Sequence, residues 1–176
     1  EPQYDKPGFL EMGISPFKAP EEPTYVTIDF EKGVPVAVDG EKMKASDIIR
    51  KLNKLGGENG IGLLDIVENR MTGMKDRGVY ETPGGTILYR AHEILEQITV
   101  DKDTMHMKRK LAVDFADLIY NGKWFTPLRE ALTAFAVETQ KYVTGQVKLK
   151  LYKGNIITSS VTSPVSLYSE KIVTFE

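Results

Sequence analysis

Between positions 68 and 82 the chain carries its densest run of side chains able to meet a small polar ligand: Glu68, Arg70, Lys75, Asp76, Arg77, Tyr80 and Glu81. A carboxylate such as Glu68 pairs with an ammonium or accepts from a urea-type N–H. Tyr80 adds an apolar ring and a hydroxyl that both donates and accepts. The stretch is polar, is punctuated by Gly73 and Gly78, and shows neither helical nor strand periodicity. It therefore reads as an irregular loop following a short buried strand at residues 62–67, an arrangement that anchors Glu68 while leaving its carboxylate facing a cleft. A solvated loop held by its own ion pairs accounts for the same residues equally well.

Other chemistry-bearing residues are sparse. His92 and His106 fall in different expected helices, with no partner at metal-ligand spacing, and read as helix-surface or boundary histidines. Neither His-Glu-x-x-His nor Gly-x-Ser-x-Gly occurs. The cluster Gly56, Gly57, Gly60 and Gly62 follows a helix rather than a strand, so a helix stop and a turn explain it better than a phosphate cradle. Gly84 and Gly85 open a helix, where free backbone N–H groups suit an anion, although simple helix initiation suffices. Lys148, Lys150 and Lys153 beside Tyr152 are a weak nucleic-acid signal, and a lysine-blunted strand face is the commoner origin. With no cysteine, disulfides, thiolate metal sites and cysteine nucleophiles are excluded.

The elements that must position these residues follow from the rest of the pattern. The chain has 176 residues, 41% hydrophobic and 27% charged, enough for one domain with its own core. Its 23 basic and 25 acidic residues leave a formal charge of -2, so no global electrostatic footprint for nucleic acid exists. No apolar run approaches the ~20 residues of a membrane helix. The polar opening with Pro2 and Pro7 reads as a connector, and the sequence is expected to be one domain, residues 1–176, of a longer chain.

Alternation predicts strands across residues 24–38 with a turn at Glu31-Lys32-Gly33, Pro35 marking a sheet edge or a strand start. A helix is expected after Ser46, with Ile48, Ile49, Leu52 and Leu55 on one face and a stop at Gly56-Gly57. Three more helices follow. One starts at Pro83 behind Thr82, one runs from Thr104 to Ile119 capped by Asp103, and one starts at Pro127 behind Thr126 and is expected to stop at Gly145, with Val143 on its stripe. A hairpin turning at Lys153-Gly154-Asn155 precedes a final stretch, residues 163–175. Strands at both ends flanking a helical middle predict an α+β fold, with a mixed or antiparallel sheet from both chain ends packed against the helices.

The motifs within this frame are familiar. Ile-Val-Glu-Asn-Arg (66–70), Gly-Met-Lys (73–75) and Arg-Gly-Val-Tyr-Glu-Thr-Pro-Gly-Gly-Thr (77–86) closely resemble argininosuccinate synthase. So do Ser-Pro-Phe-Lys-Ala-Pro (15–20), Phe-Glu-Lys-Gly-Val-Pro-Val-Ala-Val-Asp-Gly (30–40), Leu-Ile-Tyr-Asn-Gly-Lys-Trp-Phe-Thr-Pro (118–127) and Lys-Leu-Tyr-Lys-Gly-Asn (150–155). The likeness spans nearly the whole sequence and corresponds to the later, synthetase and multimerisation part of that family.

The resemblance implies an ATP-dependent ligase of arginine biosynthesis that joins citrulline to aspartate through a citrullyl-adenylate, releasing AMP and pyrophosphate. It implies ATP and Mg in the intact enzyme, with none expected on this stretch, whose sequence lacks the family's Ser-Gly-Gly-Leu-Asp-Thr-Ser nucleotide loop. The aspartate-binding Asn-Asp pair and the citrulline-binding serines are likewise outside it. Glu68 and Tyr80 match two family positions that bind citrulline; no catalytic or metal-ligating residue carries over. The resemblance further implies a cytoplasmic homotetramer, with no nucleic-acid or membrane partner. Three departures stand out: Leu63 where the family usually has Arg, Asp76 where it has Ser, and Ser-Val-Thr-Ser-Pro (160–164) where it has Arg-Lys-Ser-Pro. A stand-alone oligomerisation or small-molecule binding module is the competing reading of the same residues.

Overall fold

A computed structural model describes residues 3–169, and the last part of the final stretch, 170–175, lies outside the described residues. Strands β1 (Thr24–Glu31), β2 (Val34–Val38) and β3 (Glu41–Lys42) lead into helix α1 (Ala45–Glu58). A hairpin of β4 (Leu63–Asn69) and β5 (Lys75–Glu81) precedes α2 (Pro83–Thr99), α3 (Lys102–Tyr120) and α4 (Pro127–Thr139). Strands β6 (Gly145–Tyr152) and β7 (Asn155–Thr162) complete the order. Five strands form one sheet, β3-β2-β1-β6-β7, with every pairing antiparallel. The architecture is α+β, with the main sheet drawn from both ends of the chain as the pattern predicts.

Period-2 alternation puts Val26, Ile28 and Phe30 of β1 and Val147, Leu149 and Leu151 of β6 on the buried side of that sheet. Their register partners agree: Ile28 stands opposite Val147 and Val26 opposite Leu149. Ile48 and Leu52 of α1, with Ile87, Ala91, Ile94 and Leu95 of α2, close over them. Each fully buried Leu or Ile contributes about 1.5–3 kcal/mol, so this cluster anchors the fold. Pro35 sits in β2 beyond the part paired with β3, where its missing N–H costs nothing.

Several boundaries differ from the sequence reading. Helix α1 begins one residue before Ser46, with Lys44 at its cap and no capping side chain. It runs through Gly56 and Gly57 instead of stopping there. Those glycines serve close packing: a Cβ on Gly57 would fall 2.2 Å from the Met12 carbonyl oxygen. Helix α3 is capped by Asp101, not Asp103, the Asp101 carboxylate accepting from the N–H groups of Asp103 and Thr104. Helix α4 ends at Thr139, so Val143 reaches the core from the connection to β6. Neither α3 nor α4 contains a fully buried residue.

Residues 68–82 are not an irregular loop, nor is the segment before them a buried strand. β4 and β5 form a two-stranded ribbon separate from the main sheet, closed by a turn at residues 70–74. No residue of either strand is fully buried.

Candidate functional site

The ribbon's register decides which side chains meet. Leu64 pairs with Tyr80, Ile66 with Gly78 and Glu68 with Asp76, so these six share one face. Asp65, Val67 and Asn69 share the other with Val79, Arg77 and Lys75. Glu68 and Tyr80, twelve positions apart in sequence, are thereby brought to the same surface.

They touch. The Tyr80 hydroxyl donates to Glu68 Oε1. That bond, which the ionised phenol cannot make, raises the Tyr80 pKa above its ordinary value, with desolvation adding to the effect. A carboxylate has about four lone-pair sites, so Glu68 keeps acceptor capacity after receiving Tyr80. Arg70 Nη2 lies 3.8 Å from Glu68 Oε1, while Arg70 Nε donates to Asp76 Oδ2 at 3.0 Å and Nη2 donates to the same atom. The guanidinium holds the Asp76 carboxyl below its usual range, and Asp76 in turn raises Arg70.

On the opposite face Arg77 grips Asp65 with two bonds, Nε to Oδ1 at 2.9 Å and Nη2 to Oδ2 at 2.7 Å. That fork lowers the Asp65 pKa. Arg70 and Arg77 are thus engaged in ion pairs within the ribbon. Lys75 sits at its outer end, opposite Asn69.

The ribbon's base is fixed from the N-terminal segment. The Glu81 carboxylate accepts backbone N–H groups from Glu11, Met12 and Gly13 at 2.7, 3.0 and 3.1 Å. Thr82 N–H reaches the Gly62 carbonyl at 2.9 Å. At the far end the Tyr120 hydroxyl of α3 donates to the Asn69 carbonyl at 3.3 Å. Glu81 is therefore a structural clamp, a role its place in the polar run did not reveal. At the ribbon's turn, Gly73 adopts φ +82°, which a glycine reaches without strain.

The remaining candidates resolve into packing. Gly84 N–H donates to Asn53 Oδ1 at 2.9 Å, and a Cβ there would sit 2.6 Å from that oxygen, so this helix start is a contact with α1 and not an anion cradle. Gly60 likewise lies against Pro16. At Gly60 and Gly84 close packing accounts for the glycine. Lys148 lies over the Tyr25 ring and Lys150 over Tyr152 on the sheet's polar side. His92 packs edge-on to Phe30, with Nε2 2.7 Å from Gln140 Oε1. Beside it Glu96, 9% exposed, accepts Gln140 Nε2 at 2.8 Å and pairs with Lys108. This cluster joins α2 to α3 and to the segment after α4. Among the described residues no three His, Asp or Glu side chains group closely enough to hold a metal ion, and no helix is long and apolar enough to cross a membrane.

Comparison with known proteins matches residues 4–176 to the family model described as "Arginosuccinate synthase C-terminal domain". Among curated relatives, the argininosuccinate synthase of Clostridium botulinum (strain Eklund 17B / Type B) is 60% identical over 175 residues. That alignment covers 99% of this chain and 42% of the relative. Those of Agathobacter rectalis and Acetivibrio thermocellus are each 59% identical over 175 residues, covering 99% of this chain and 42% and 43% of theirs. The chain thus spans less than half the length of the relatives it matches. It belongs to the argininosuccinate synthase C-terminal domain family.

Proposed function

We propose that this chain supplies one wall of a citrulline pocket in an argininosuccinate synthase, the ribbon face bearing Glu68 and Tyr80 being the contact surface. The observation that carries the reading is the direct Tyr80–Glu68 hydrogen bond on an accessible face of a braced two-stranded arm. Citrulline presents an ammonium, a carboxylate and a neutral ureido group. An ionised carboxylate and a phenol are chemically suited to its donors, and they do not compete for a phosphate. In ATP-dependent ligation to aspartate, with loss of AMP and pyrophosphate, the ureido oxygen is the nucleophile toward the α-phosphate. What such a nucleophile needs from this wall is orientation rather than a strong base. ATP and Mg belong, in this reading, to residues outside this chain, whose sequence lacks the family's Ser-Gly-Gly-Leu-Asp-Thr-Ser nucleotide loop.

The test is Glu68→Gln in an intact enzyme carrying this domain. The citrulline KM should rise about tenfold, the loss of a charge-assisted bond, while the thermal midpoint and the ATP KM stay in place. An unchanged citrulline KM removes Glu68 from the site. This chain alone should show no ligase activity and weak or no citrulline binding by calorimetry, because the serines that complete the pocket in the family are not in it.

A second reading, a scaffold for subunit contacts in a cytoplasmic homotetramer of arginine biosynthesis, is favoured by the surface of α3 and α4. Phe125 is 89% exposed, and Val113, Trp124, Leu128 and Val137 are also exposed. Two helices without a fully buried residue, joined by a connection that exposes Trp124 and Phe125, offer the kind of apolar and aromatic surface that a subunit contact covers. The two roles are compatible. Size-exclusion chromatography of the chain tests the second: elution as a monomer at high micromolar concentration contradicts it.

A further inference from the structure

On the face that carries Glu68 and Tyr80, one position has no side chain. Gly78 lies between Asp76 and Tyr80 along β5 and opposite Ile66 on β4. Its backbone has no positive φ, so no conformational requirement keeps glycine there. In a strand interior glycine carries a cost, since it loses more freedom on folding and packs nothing.

The space it leaves is filled. A Cβ built on Gly78 would lie 2.8 Å from Tyr80 Cε2, 3.0 Å from Cζ and 3.0 Å from the hydroxyl oxygen. The Tyr80 ring therefore lies down along the ribbon, over the Gly78 backbone, instead of standing away from the sheet. Lying that way is what spans the gap. Tyr80 is paired with Leu64, four residues along β4 from Glu68. At about 3.4 Å rise per residue a ring perpendicular to the ribbon could not reach that carboxylate.

We infer that Gly78 is a positioning residue of the citrulline site: its missing side chain is the bed on which the Tyr80 ring lies, delivering the hydroxyl to Glu68 and fixing the shape of the surface offered to substrate. The inference rests on the citrulline reading above and deepens it. It also has an unusual sign. Alanine at 78 should leave the ribbon intact or firmer, because a β-carbon restricts the unfolded chain. It should nonetheless lift the Tyr80 ring off the backbone and part it from Glu68.

The experiment is a double-mutant cycle in an intact enzyme carrying this domain, with Gly78→Ala, Tyr80→Ala and the two combined, and Glu68→Gln as reference. Citrulline, ATP and aspartate KM are measured, together with hydrogen exchange of the amides at 63–81. Gly78→Ala is expected to raise the citrulline KM severalfold to about tenfold, the scale of one charge-assisted hydrogen bond. The ATP and aspartate KM should not change, and amide protection of the ribbon should be equal or greater. Once Tyr80 is already alanine, adding Gly78→Ala should raise the KM no further, because no ring is left to displace.

A wild-type KM in Gly78→Ala, an equal rise in both backgrounds, or lost protection across 63–81 each overturns the role, the last by making glycine a requirement of the backbone. If Tyr80→Ala and Glu68→Gln leave the citrulline KM untouched, the citrulline reading itself falls and takes this inference with it. If they raise it and Gly78→Ala does not, only the role of Gly78 is lost.

Discussion

Glu68 and Asp76 stand directly opposite each other across the β4–β5 ribbon. Like charges in that relation repel, and Arg70 resolves the conflict unevenly. Its guanidinium binds Asp76 through both Nε and Nη2 while keeping 3.8 Å from Glu68 Oε1. Asp76 thereby draws the cation aside and leaves Glu68 to accept from Tyr80.

Replacing Asp76 by serine removes the attraction that holds Arg70 off Glu68. In Asp76→Ser the guanidinium should swing to Glu68 and compete with substrate donors. The citrulline KM should rise about threefold, a modest factor because the groups are solvated and exposed ion pairs are weak. Raising the ionic strength should narrow the difference from wild type. A KM below the wild-type value would show instead that repulsion between the two carboxylates, and not competition by Arg70, dominates this face.

Two helical glycines make a paired prediction of opposite sign. Glycine inside a helix normally costs about 0.5–1 kcal/mol relative to alanine. Gly85, in the first turn of α2, has open space where a Cβ would go, with nothing within 4 Å, so Gly85→Ala should stabilise by about that amount. Gly57, in the last turn of α1, would thrust its Cβ to 2.2 Å from the Met12 carbonyl oxygen. Gly57→Ala should therefore destabilise by about 1–3 kcal/mol, the usual cost of overpacking. It should also loosen the segment whose Ile14 N–H bonds to the Gly57 carbonyl at 3.1 Å. Urea unfolding of both variants checks the contrast, and a stabilised Gly57→Ala would refute the close approach.

The same glycines show what the sequence could and could not reveal. Where an element buries one face, its pattern was legible. The alternation in β1 and β6 matches the core, three of the four residues expected on one face of α1 (Ile48, Leu52 and Leu55) pack into or against it while Ile49 is exposed, and Thr82-Pro83 and Thr126-Pro127 mark true helix starts. Gly56-Gly57 misled because their signal is identical to that of a helix stop, while the cause of Gly57 is the backbone of residues 12 and 13, distant in sequence. The ribbon misled for a related reason. Neither strand has a fully buried face, so no core imposed apolar alternation on residues 63–81. The residue types at Glu68 and Tyr80 marked this surface all the same. The register that brings them into contact, and the empty position at Gly78 between them, emerge only when the two strands are paired.

Acid should weaken the fold through groups that can be named. Asp101 accepts the Asp103 and Thr104 N–H groups at 3.1 and 3.0 Å, and the backbone bond to Thr104 is the main cause of its lowered pKa. Asp65 and Asp76 are lowered by their arginines. A carboxyl whose folded pKa lies below its unfolded value of about 3.9 stabilises at all pH above that value and loses this contribution as pH falls through the lowered folded value. Asp101→Asn keeps a neutral cap whose acceptance does not titrate. Wild type should melt about 2 °C above Asp101→Asn at pH 7, and the gap should close below about pH 4. A gap that stays constant from pH 7 to about pH 2.5 would show that the charge at the α3 terminus adds nothing.

The junction of α2 with α3 and the post-α4 segment depends on Glu96. Its side chain accepts Gln140 Nε2 at 2.8 Å, pairs with Lys108 and lies 3.8 Å from His92 Nδ1. α3 and α4 have no fully buried residues of their own, so this polar joint carries an unusual share of their attachment to the body. Glu96→Ala leaves the partly buried Lys108 ammonium without its acceptor and the Gln140 amide with Thr139 Oγ1 alone, at 3.1 Å, which should cost about 2–3 kcal/mol. The loss should be local: hydrogen exchange should quicken across α3 and α4, while α1, α2 and the central strands β1 and β6 keep their protection. Glu96→Gln retains one acceptor oxygen for Gln140 or Lys108 and should recover part of the loss. Uniform loss of protection across the whole chain would mean that the helical pair is held by its apolar contacts with the core, and that the joint at Glu96 is incidental.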